Sequence, residues 1–230
     1  MQILKLFNFS LFFKYIYINS EDKKKIYSCQ NICLLGIINF MRDYINNYIL
    51  NSIKTKEEIL NNESILNKIE KTVSIIVEAY KSKKKVLIAG NGGSAADAQH
   101  FSAELVSKFL KDRPALNSIA LTTNSSILTA VGNDYNHDYI FARQIQAYGV
   151  EGDIYLAIST SGNSKNIIKS IEDAKKQGLI VIGLTGINPS KMDKLCDLII
   201  KVPSEKTPII QESHLMIEHL ICALIEKALY

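Results

Sequence analysis

Apolar and polar residues follow two different rhythms along this chain, and the change falls near residue 85. From residue 41 to residue 82 apolar side chains recur every three or four positions, which predicts helices. A capping box formed by Thr55 and Glu58 predicts that a short helix ends just before it and a long helix follows. No residue of this stretch indicates catalysis, so we expect these helices to pack against the fold or to contact another subunit.

From residue 86 short apolar runs alternate with helical stretches, and the last stretch, 207–230, predicts a long amphipathic helix beginning near Pro208. The apolar runs predict strands at 86–89, 118–121, 153–159, 179–184 and 198–202. Strands that alternate with helices form a parallel sheet with helices on both faces. The predicted fold is therefore α/β: a three-layer αβα sandwich with a five-stranded parallel sheet, preceded by N-terminal helices.

Residues 1–40 differ from the rest of the chain. Apolar and aromatic residues run to Ile18, a charged run covers 21–25, and a second apolar run covers 31–40. Neither apolar run reaches the roughly 18 residues that a membrane span needs, and no small-residue cleavage site follows Ile18. We expect 1–40 to lie outside the functional fold, the domain to be 41–230, and Met41 to be an alternative start. A membrane-associating N-terminus is the competing interpretation.

Composition narrows the class of protein. A length of 230 residues with 47% hydrophobic residues suits one medium domain with an extension. The net charge of +4 comes from scattered lysines, without a basic stripe interleaved with aromatic residues, so no nucleic-acid partner is expected. The four cysteines show no paired spacing, which predicts reduced thiols and a cytoplasmic protein. They are Cys29, Cys33, Cys196 and Cys222.

A glycine-rich turn follows the first predicted strand and opens a helix. Glycines at 90, 92 and 93 allow close approach of a ligand, and Ser94 with Asp97 predicts a capping box at the helix start. The free N–H groups and the dipole of such a helix start suit a phosphate. The spacing matches neither a dinucleotide fingerprint nor a nucleoside triphosphate loop. An ordinary strand-to-helix turn is the alternative.

A second candidate anion loop follows the third predicted strand. Four hydroxyls surround one glycine there, contributed by Ser159, Thr160, Ser161 and Ser164. Hydroxyls and backbone N–H groups at a helix start satisfy phosphate oxygens without a cation, and the only nearby lysine, Lys165, lies just past the loop. This composition favours a sugar monophosphate. Ligands of parallel sheets bind at the carboxyl ends of the strands, where both loops are predicted.

Two pairs of polar side chains are candidate metal ligands. His100 and Glu104 are four residues apart on the helix that follows the glycine turn, so they share a face of that helix. The alternative is that they form an ordinary pair on the protein surface. Gln211 and His219 are separated by about 12 Å along one helix. Either Gln211 lies at a frayed helix start, or the two serve one site from different subunits. A His/Glu/Gln/His set is able to hold zinc.

Two further polar features have a structural alternative. His214 is interpreted as a structural histidine of the last helix and left out of the candidate site. The segment 132–134, Gly-Asn-Asp, is predicted to lie in a loop, where it either binds sugar hydroxyls or forms a turn.

Five motifs taken together resemble the SIS (sugar isomerase) domain family over about 41–230. They are GNGGSAADAQHF at 90–101, VGND at 131–134, AISTSGNS at 157–164, LTG at 184–186 and IQESH at 210–214. The resemblance is to members that isomerise sedoheptulose 7-phosphate to D-glycero-D-manno-heptose 7-phosphate through a cis-enediol, the first step of heptose supply for lipopolysaccharide or other surface glycans. It implies a cytoplasmic homotetramer with active sites between subunits and one zinc ion per subunit.

The resemblance also implies roles for individual residues. Glu104 and His219 match the acid/base pair, and the zinc set corresponds to His100, Glu104, Gln211 and His219. The substrate-binding positions correspond to Asn91, Gly92, Gly93, Glu104, Asn133, Asp134, Ser159, Thr160, Ser161, Ser164 and Gln211. A glutamate that ligates zinc is a poor base, so either Glu104 changes roles when substrate binds, or zinc is structural or inhibitory in some states. Residues 207–210 lack the charged residue that often precedes the glutamine in this family.

Other members of the same family offer competing functions. One related group binds the replication initiator DnaA and has no isomerase activity, and it lacks the residues that match Glu104 and His219. The presence of both residues here favours the enzyme. Another phosphosugar chemistry, such as an amino-sugar phosphate isomerase or etherase, and a metal-free sugar-phosphate sensor are the remaining alternatives.

Overall fold

The computed structural model describes the backbone of residues 23–230 and the side chains of residues 40–230. The predictions made for residues 1–22 lie outside the described residues, as do the side chains of Cys29 and Cys33. The chain divides into two compact units between Asn51 and Ser52. In the part of the chain that was searched, no helix combines the length and the apolar character needed to cross a membrane.

Two helices precede the sheet, α1 (Lys23–Leu60) and α2 (Glu63–Lys81). The predicted short helix followed by a long one, with the boundary at Thr55, is wrong. Thr55 lies inside α1 with its side chain buried, and no glycine or proline near it interrupts the helix. The boundary falls instead at Asn62, whose side chain accepts a hydrogen bond from the Ile65 N–H at 3.2 Å and caps α2.

Five parallel strands form one sheet in the order β2-β1-β3-β4-β5. All five predicted strands are confirmed, and no strand end shifts by more than two residues. The observed strands are β1 (Val86–Ala89), β2 (Ser118–Ala120), β3 (Ile154–Ile158), β4 (Ile180–Gly186) and β5 (Leu198–Val202). Strands β1 and β3 are buried along their whole length, as expected for a sheet covered on both faces.

Helices cover both faces of the sheet, so the predicted three-layer sandwich is confirmed. The remaining helices are α3 (Gly93–Val106), α4 (Ser125–Asp134), α5 (Ala142–Tyr148), α6 (Lys165–Lys176) and α7 (Thr207–Leu229). The predicted last helix is confirmed as α7. Successive strand residues point to opposite faces: Ile88 and Leu156 pack against α2, α3 and α7, whereas Leu87 and Tyr155 pack against α5 and α6.

The start of α3 corrects the predicted capping box at Ser94 and Asp97. Gly92 is the N-cap residue, with φ of +55°, and no side chain caps the helix. Ser94 lies inside the first turn, where it is buried and its N–H donates to the Asn91 carbonyl at 3.0 Å. A left-handed backbone at residue 92 suits glycine. The helix therefore begins two residues earlier than a cap at Ser94 would place it. The uncapped start leaves N–H groups of α3 available to an anion.

Candidate active site

The two predicted anion loops lie beside each other at the carboxyl edge of the sheet. Strands β1 and β3 are neighbours in the sheet, and β1 pairs with β2 on its other side. This is the point at which the strand order reverses, and ligands of open parallel sheets bind there. The glycine turn at 90–92 follows β1, and the serine loop at 159–164 follows β3.

A reciprocal pair of amides joins the two loops. The Asn91 amide donates to Asn166 Oδ1 at 2.9 Å, and the Asn166 amide donates to Asn91 Oδ1 at 2.8 Å. Asn166 is buried near the start of α6, and its Nδ2 also lies 3.5 Å from Nδ1 of His137. The sequence analysis missed Asn166 and His137, because neither belongs to a glycine or serine run. The amide pair fixes the glycine turn relative to the start of α6, which follows the serine loop.

The serine loop is shaped by its own backbone and hydroxyls. Gly162, with φ of +62°, donates its N–H to the Ser159 carbonyl at 3.0 Å. The Ser159 and Ser164 hydroxyls are 3.2 Å apart, whereas Ser161 is exposed. Ser164 is the N-cap residue of α6, but its hydroxyl makes no capping bond. The loop therefore presents hydroxyls and an uncapped helix start, which is the chemistry of a phosphate site.

Gln211 contacts the glycine turn. A Cβ atom at Gly93 would lie 2.5 Å from Nε2 of Gln211, so the amide rests directly against this glycine. Gln211 belongs to the first turn of α7, which therefore runs beside the start of α3. A larger residue at position 93 would require this amide to move.

His100, Glu104 and His219 form a compact cluster between α3 and α7. Nε2 of His100 lies 2.9 Å from Nε2 of His219 and 3.3 Å from Oε1 of Glu104. One ligand atom from each of the three residues lies within 4.8 Å of the others. The structure thus brings together both residues matched to the acid/base pair and three of the four matched to the zinc set.

The donor set of this cluster fits a zinc ion. Two imidazoles and a carboxylate are the protein ligands of many catalytic zinc sites, which keep a further position open. Ligand atoms about 2.0–2.1 Å from a tetrahedral zinc lie roughly 3.3 Å from one another. The two separations in the cluster, 2.9 and 3.3 Å, are close to this value.

The other predicted site residues lie elsewhere on the fold. Gln211 precedes His219 by two turns of α7, about 12 Å, and contacts Gly93. The helix is continuous between them, so the frayed start considered in the sequence analysis is not observed. Asn133 and Asp134 are exposed in the last turn of α4, and the predicted loop at this position is wrong, because the α4 hydrogen bonds continue to the Tyr135 N–H.

Two acidic side chains lie beside the cluster, in the contact between α3 and α7. Both carboxylate oxygens of Glu218 are buried without a hydrogen-bond partner, as is one oxygen of Asp97. Burial, and to a lesser extent the charge of Asp97, raises the pKa of Glu218 to about 8. The Glu218 carboxyl therefore keeps its proton at neutral pH and adds no charge next to His219. The sequence analysis missed it, since it occupies an apolar face of α7 without a recognisable motif.

The structural interpretation of His214 is supported by its surroundings. The side chain is buried in α7, and its Nε2 donates to the Thr185 carbonyl at 3.3 Å, while Nδ1 has no partner. Burial lowers the pKa of His214 to about 4, although the bond to Thr185 opposes the shift. The imidazole is therefore neutral at neutral pH and supports the fold.

This pKa predicts a loss of stability in acid. The unfolded chain binds a proton at His214 below about pH 6.5, whereas the folded chain binds it only near pH 4. The free energy of unfolding therefore falls over this range as the pH decreases, by about 2–3 kcal/mol from this residue. Denaturant titrations between these pH values compare wild type with His214→Asn, whose side chain cannot be protonated. The free energy of unfolding of the variant should fall by about 2–3 kcal/mol less than that of wild type over this range. Equal slopes for wild type and His214→Asn would contradict the prediction.

A three-layer α/β fold with two uncapped helix starts at its switch point and a His/Glu/His cluster between α3 and α7 agrees with the SIS domain class. The SIS domain model matches residues 47–186.

The chain belongs to the phosphoheptose isomerase family within that class. It is similar to the phosphoheptose isomerase of Aneurinibacillus thermoaerophilus, with 56% identity over 190 residues that cover 83% of this chain and 96% of the relative. Phosphoheptose isomerase 2 of Campylobacter jejuni is 52% identical over 83% of this chain and 94% of its own length. The solved phosphoheptose isomerase of Francisella tularensis shares 38% identity at a TM-score of 0.79, over 81% of this chain and 98% of that chain.

Proposed function

We propose that this protein isomerises sedoheptulose 7-phosphate to D-glycero-D-manno-heptose 7-phosphate. The observation that carries the proposal is the meeting of Glu104 and His219 in one cluster, on a chain that belongs to the phosphoheptose isomerase family. The two residues belong to α3 and α7, far apart in the sequence. The reaction supplies heptose for lipopolysaccharide or other surface glycans, in the cytoplasm.

The reaction needs one base for a carbon-bound proton and one group for the oxygens. The Glu104 carboxylate removes the proton from C1, and the C1–H electron pair forms the C1=C2 bond of a cis-enediol as protonated His219 gives its proton to the C2 oxygen. The now neutral His219 accepts the proton from the C1 oxygen as the carbonyl forms there, and Glu104 returns its proton to C2. A carboxylate suits the transfer of a carbon-bound proton, and an imidazole suits transfers at the oxygens.

The phosphate end of the substrate binds at the two loops. The uncapped starts of α3 and α6 offer N–H groups, and Ser159, Thr160, Ser161 and Ser164 offer hydroxyls. Asn91, Gly92 and Gly93 line the first turn, and Gln211 rests against Gly93. Asn133 and Asp134 bind sugar hydroxyls. A phosphate anchored at one end holds the reacting carbons in place at the other, which reduces the entropic cost of the proton transfers.

Zinc is the proposed cofactor, one ion per subunit. Before substrate binds, His100, Glu104 and His219 would hold it, with Gln211 as the fourth residue of the set. Because a glutamate that ligates zinc is a poor base, Glu104 would change from ligand to base when substrate binds. When bound, zinc polarises the carbonyl oxygen of the sugar and stabilises negative charge that develops on it.

A homotetramer with active sites between subunits accounts for the separation of Gln211 from His219. Within one chain the two are about 12 Å apart along α7, so a Gln211 that reaches the cluster would come from another subunit. Exposed apolar side chains at the end of α3, in the loop that follows it and on α7 support such a contact. Val106, Leu110, Leu220 and Leu224 are 45%, 70%, 44% and 36% exposed, and patches of this kind mark subunit contacts.

The direct test is an isomerase assay of purified protein with sedoheptulose 7-phosphate, detecting the aldose product, combined with metal analysis before and after chelation. Turnover with bound zinc is the expected result. Absence of turnover from zinc-loaded protein would overturn the proposal. The alternative of a non-catalytic partner of DnaA is not favoured, because Glu104 and His219 are both present and adjacent.

We also propose that residues 41–230 carry the whole activity. Relatives align over 190 residues, which cover 83% of this chain and 96% of the Aneurinibacillus protein. A chain starting at Met41 is expected to have kcat within about 2-fold of the full-length protein, since residues 1–40 include none of the site residues. An intact-mass measurement of the native protein is expected to match a start at Met41. A mass matching Met1, or loss of activity in the shorter chain, would contradict the respective part of the proposal.

A further inference from the structure

A buried carboxylate on α7 anchors the loop between α3 and β2, which we call the anchored loop (residues 107–115). Oε1 of Glu226 accepts the Phe109 N–H at 2.9 Å, and Oε2 accepts the N–H groups of Leu110 and Lys111 at 2.8 and 3.0 Å. Nε of Arg113 donates to Oε1 at 3.0 Å. Both oxygens of Glu226 are satisfied by the loop, so the backbone of residues 109–111 is held against α7.

Arg113 also ties the loop to the end of α3. Its guanidinium donates to the carbonyls of Glu104 and Leu105 at 2.9 and 2.8 Å. The last carbonyls of a helix have no partner within the helix, and a cation at this end also interacts favourably with the helix dipole. The Arg113 and Glu226 side chains are only 1% and 2% exposed. The turn of α3 that carries Glu104 is therefore joined to α7 through one buried ion pair.

The anchored loop places an aromatic ring on the candidate catalytic histidine. The Phe109 ring stacks on the His219 imidazole, with centroids 5.5 Å apart and 29° between the planes. On the same imidazole, the His100 ring makes an edge contact at 5.1 Å. Glu226 follows His219 by two turns of α7 and so lies on the same side of that helix. One helix, α7, thus carries both the Glu226 carboxylate, which holds the Phe109 backbone, and the His219 imidazole, which the Phe109 ring contacts.

We propose that Phe109, held by the Glu226 carboxylate, is a positioning residue that orients His219 toward His100 and Glu104. The proposal rests on the proposed function, because it assigns a role in that same site. The half-exposed His219 has two free side-chain torsions, and a stacked ring removes the rotamers that turn its nitrogen away from the cluster. Misplacement of a reacting group by about 1 Å costs up to about 100-fold in rate. Removal of the Phe109 ring should therefore lower the reaction rate measurably.

The test compares Phe109→Leu with Phe109→Tyr, which restores a ring, and with Lys111→Ala as the matched control. The Lys111 side chain is exposed, and alanine keeps the backbone N–H that bonds Glu226. For each protein, kcat and KM for sedoheptulose 7-phosphate, zinc affinity by chelator competition, and the melting temperature of the metal-free form are measured. Removal of a residue that supports a metal ligand typically costs 10–100-fold in affinity or activity.

Phe109→Leu is expected to lower kcat and weaken zinc binding by about 10-fold each, with KM within about 2-fold. Phe109→Tyr and Lys111→Ala should stay near wild type, and the melting temperature of metal-free Phe109→Leu should remain within a few degrees of the wild-type value. Wild-type kcat and zinc affinity in Phe109→Leu would overturn the inference, as would equal losses in Lys111→Ala. An inactive wild type would instead refute the proposed function, and the zinc titration would still decide whether Phe109 positions His219.

Discussion

Replacing Glu104 by glutamine is expected to lower kcat for sedoheptulose 7-phosphate by at least about 100-fold. Glutamine keeps the length and polarity of the side chain but cannot accept the proton from C1, and removal of a general base typically costs 100- to 10,000-fold. Because the proposed phosphate site lies at the two loops and does not include Glu104, KM should change far less than kcat. Steady-state kinetics on zinc-loaded protein measure both constants.

The control for this prediction is Glu172→Gln on α6, where the carboxylate pairs with Lys169 at the surface. The same chemical change there should leave kcat within about 2-fold, since exposed ion pairs contribute about 0–1 kcal/mol. Metal analysis of Glu104→Gln separates loss of the base from loss of zinc, because Glu104 is also a candidate ligand. A variant that keeps its metal and wild-type kcat would remove Glu104 from the mechanism.

Replacing Glu226 by alanine is expected to lower the free energy of unfolding by about 3–5 kcal/mol. The change leaves the buried Arg113 guanidinium without a counter-charge and removes the acceptor of three backbone N–H groups. Breaking one side of a buried ion pair has this cost, because the remaining charge is neither solvated nor paired. Denaturant unfolding of wild type and variant measures the difference.

The matched control is Glu58→Ala. Glu58 is 3.8 Å from Lys54 on the surface of α1, with 45% and 74% of the two side chains exposed. Its removal should change the free energy of unfolding by no more than about 0.5 kcal/mol. An equally small effect of Glu226→Ala would show that the Arg113 pair contributes no more than a surface pair.

The contribution of Glu226 also depends on pH. Burial by itself would raise the pKa of this carboxyl, but the N–H groups of residues 109–111 and Arg113 outweigh it, so the pKa lies below its usual value of 4.5. A carboxyl with a lowered pKa stabilises the folded state above its unfolded pKa and loses this contribution as the pH falls through the folded value. The difference between wild type and Glu226→Ala should therefore be constant above about pH 5 and shrink in acid.

Much of the secondary structure follows from local sequence, and the misplaced helix boundary at Thr55 shows the limit of local signals. The strands were predictable because each is a short apolar run between polar turns. The Thr55 and Glu58 pair has the spacing of a capping box, yet Thr55 is buried inside α1. Packing of Thr55 in the interior outweighs a cap worth about 1 kcal/mol, and Asn62 supplies the cap instead.

The candidate site was predictable wherever its residues form a motif and not where they act through distant contacts. The glycine turn and the serine loop are contiguous, so their composition alone indicates anion binding. Asn166 and Phe109 lack any such signal, since their importance depends on partners 75 residues away at Asn91 and 117 residues away at Glu226. The position of Gln211 against Gly93 likewise required the packing of α7 on α3.

By itself, the sequence determined the α/β class, the five strands, the two anion loops and the pairing of His100 with Glu104, because all of these depend on residues close together in the chain. Only the tertiary structure decided that His219 joins that pair across a separation of 119 residues and that a buried ion pair anchors the loop beside it. The order of the strands in the sheet and the packing of α7 along α3 bring these groups together. Neither the proximity of residues so far apart in the chain nor the burial of Arg113 and Glu226 is encoded by neighbouring residues alone.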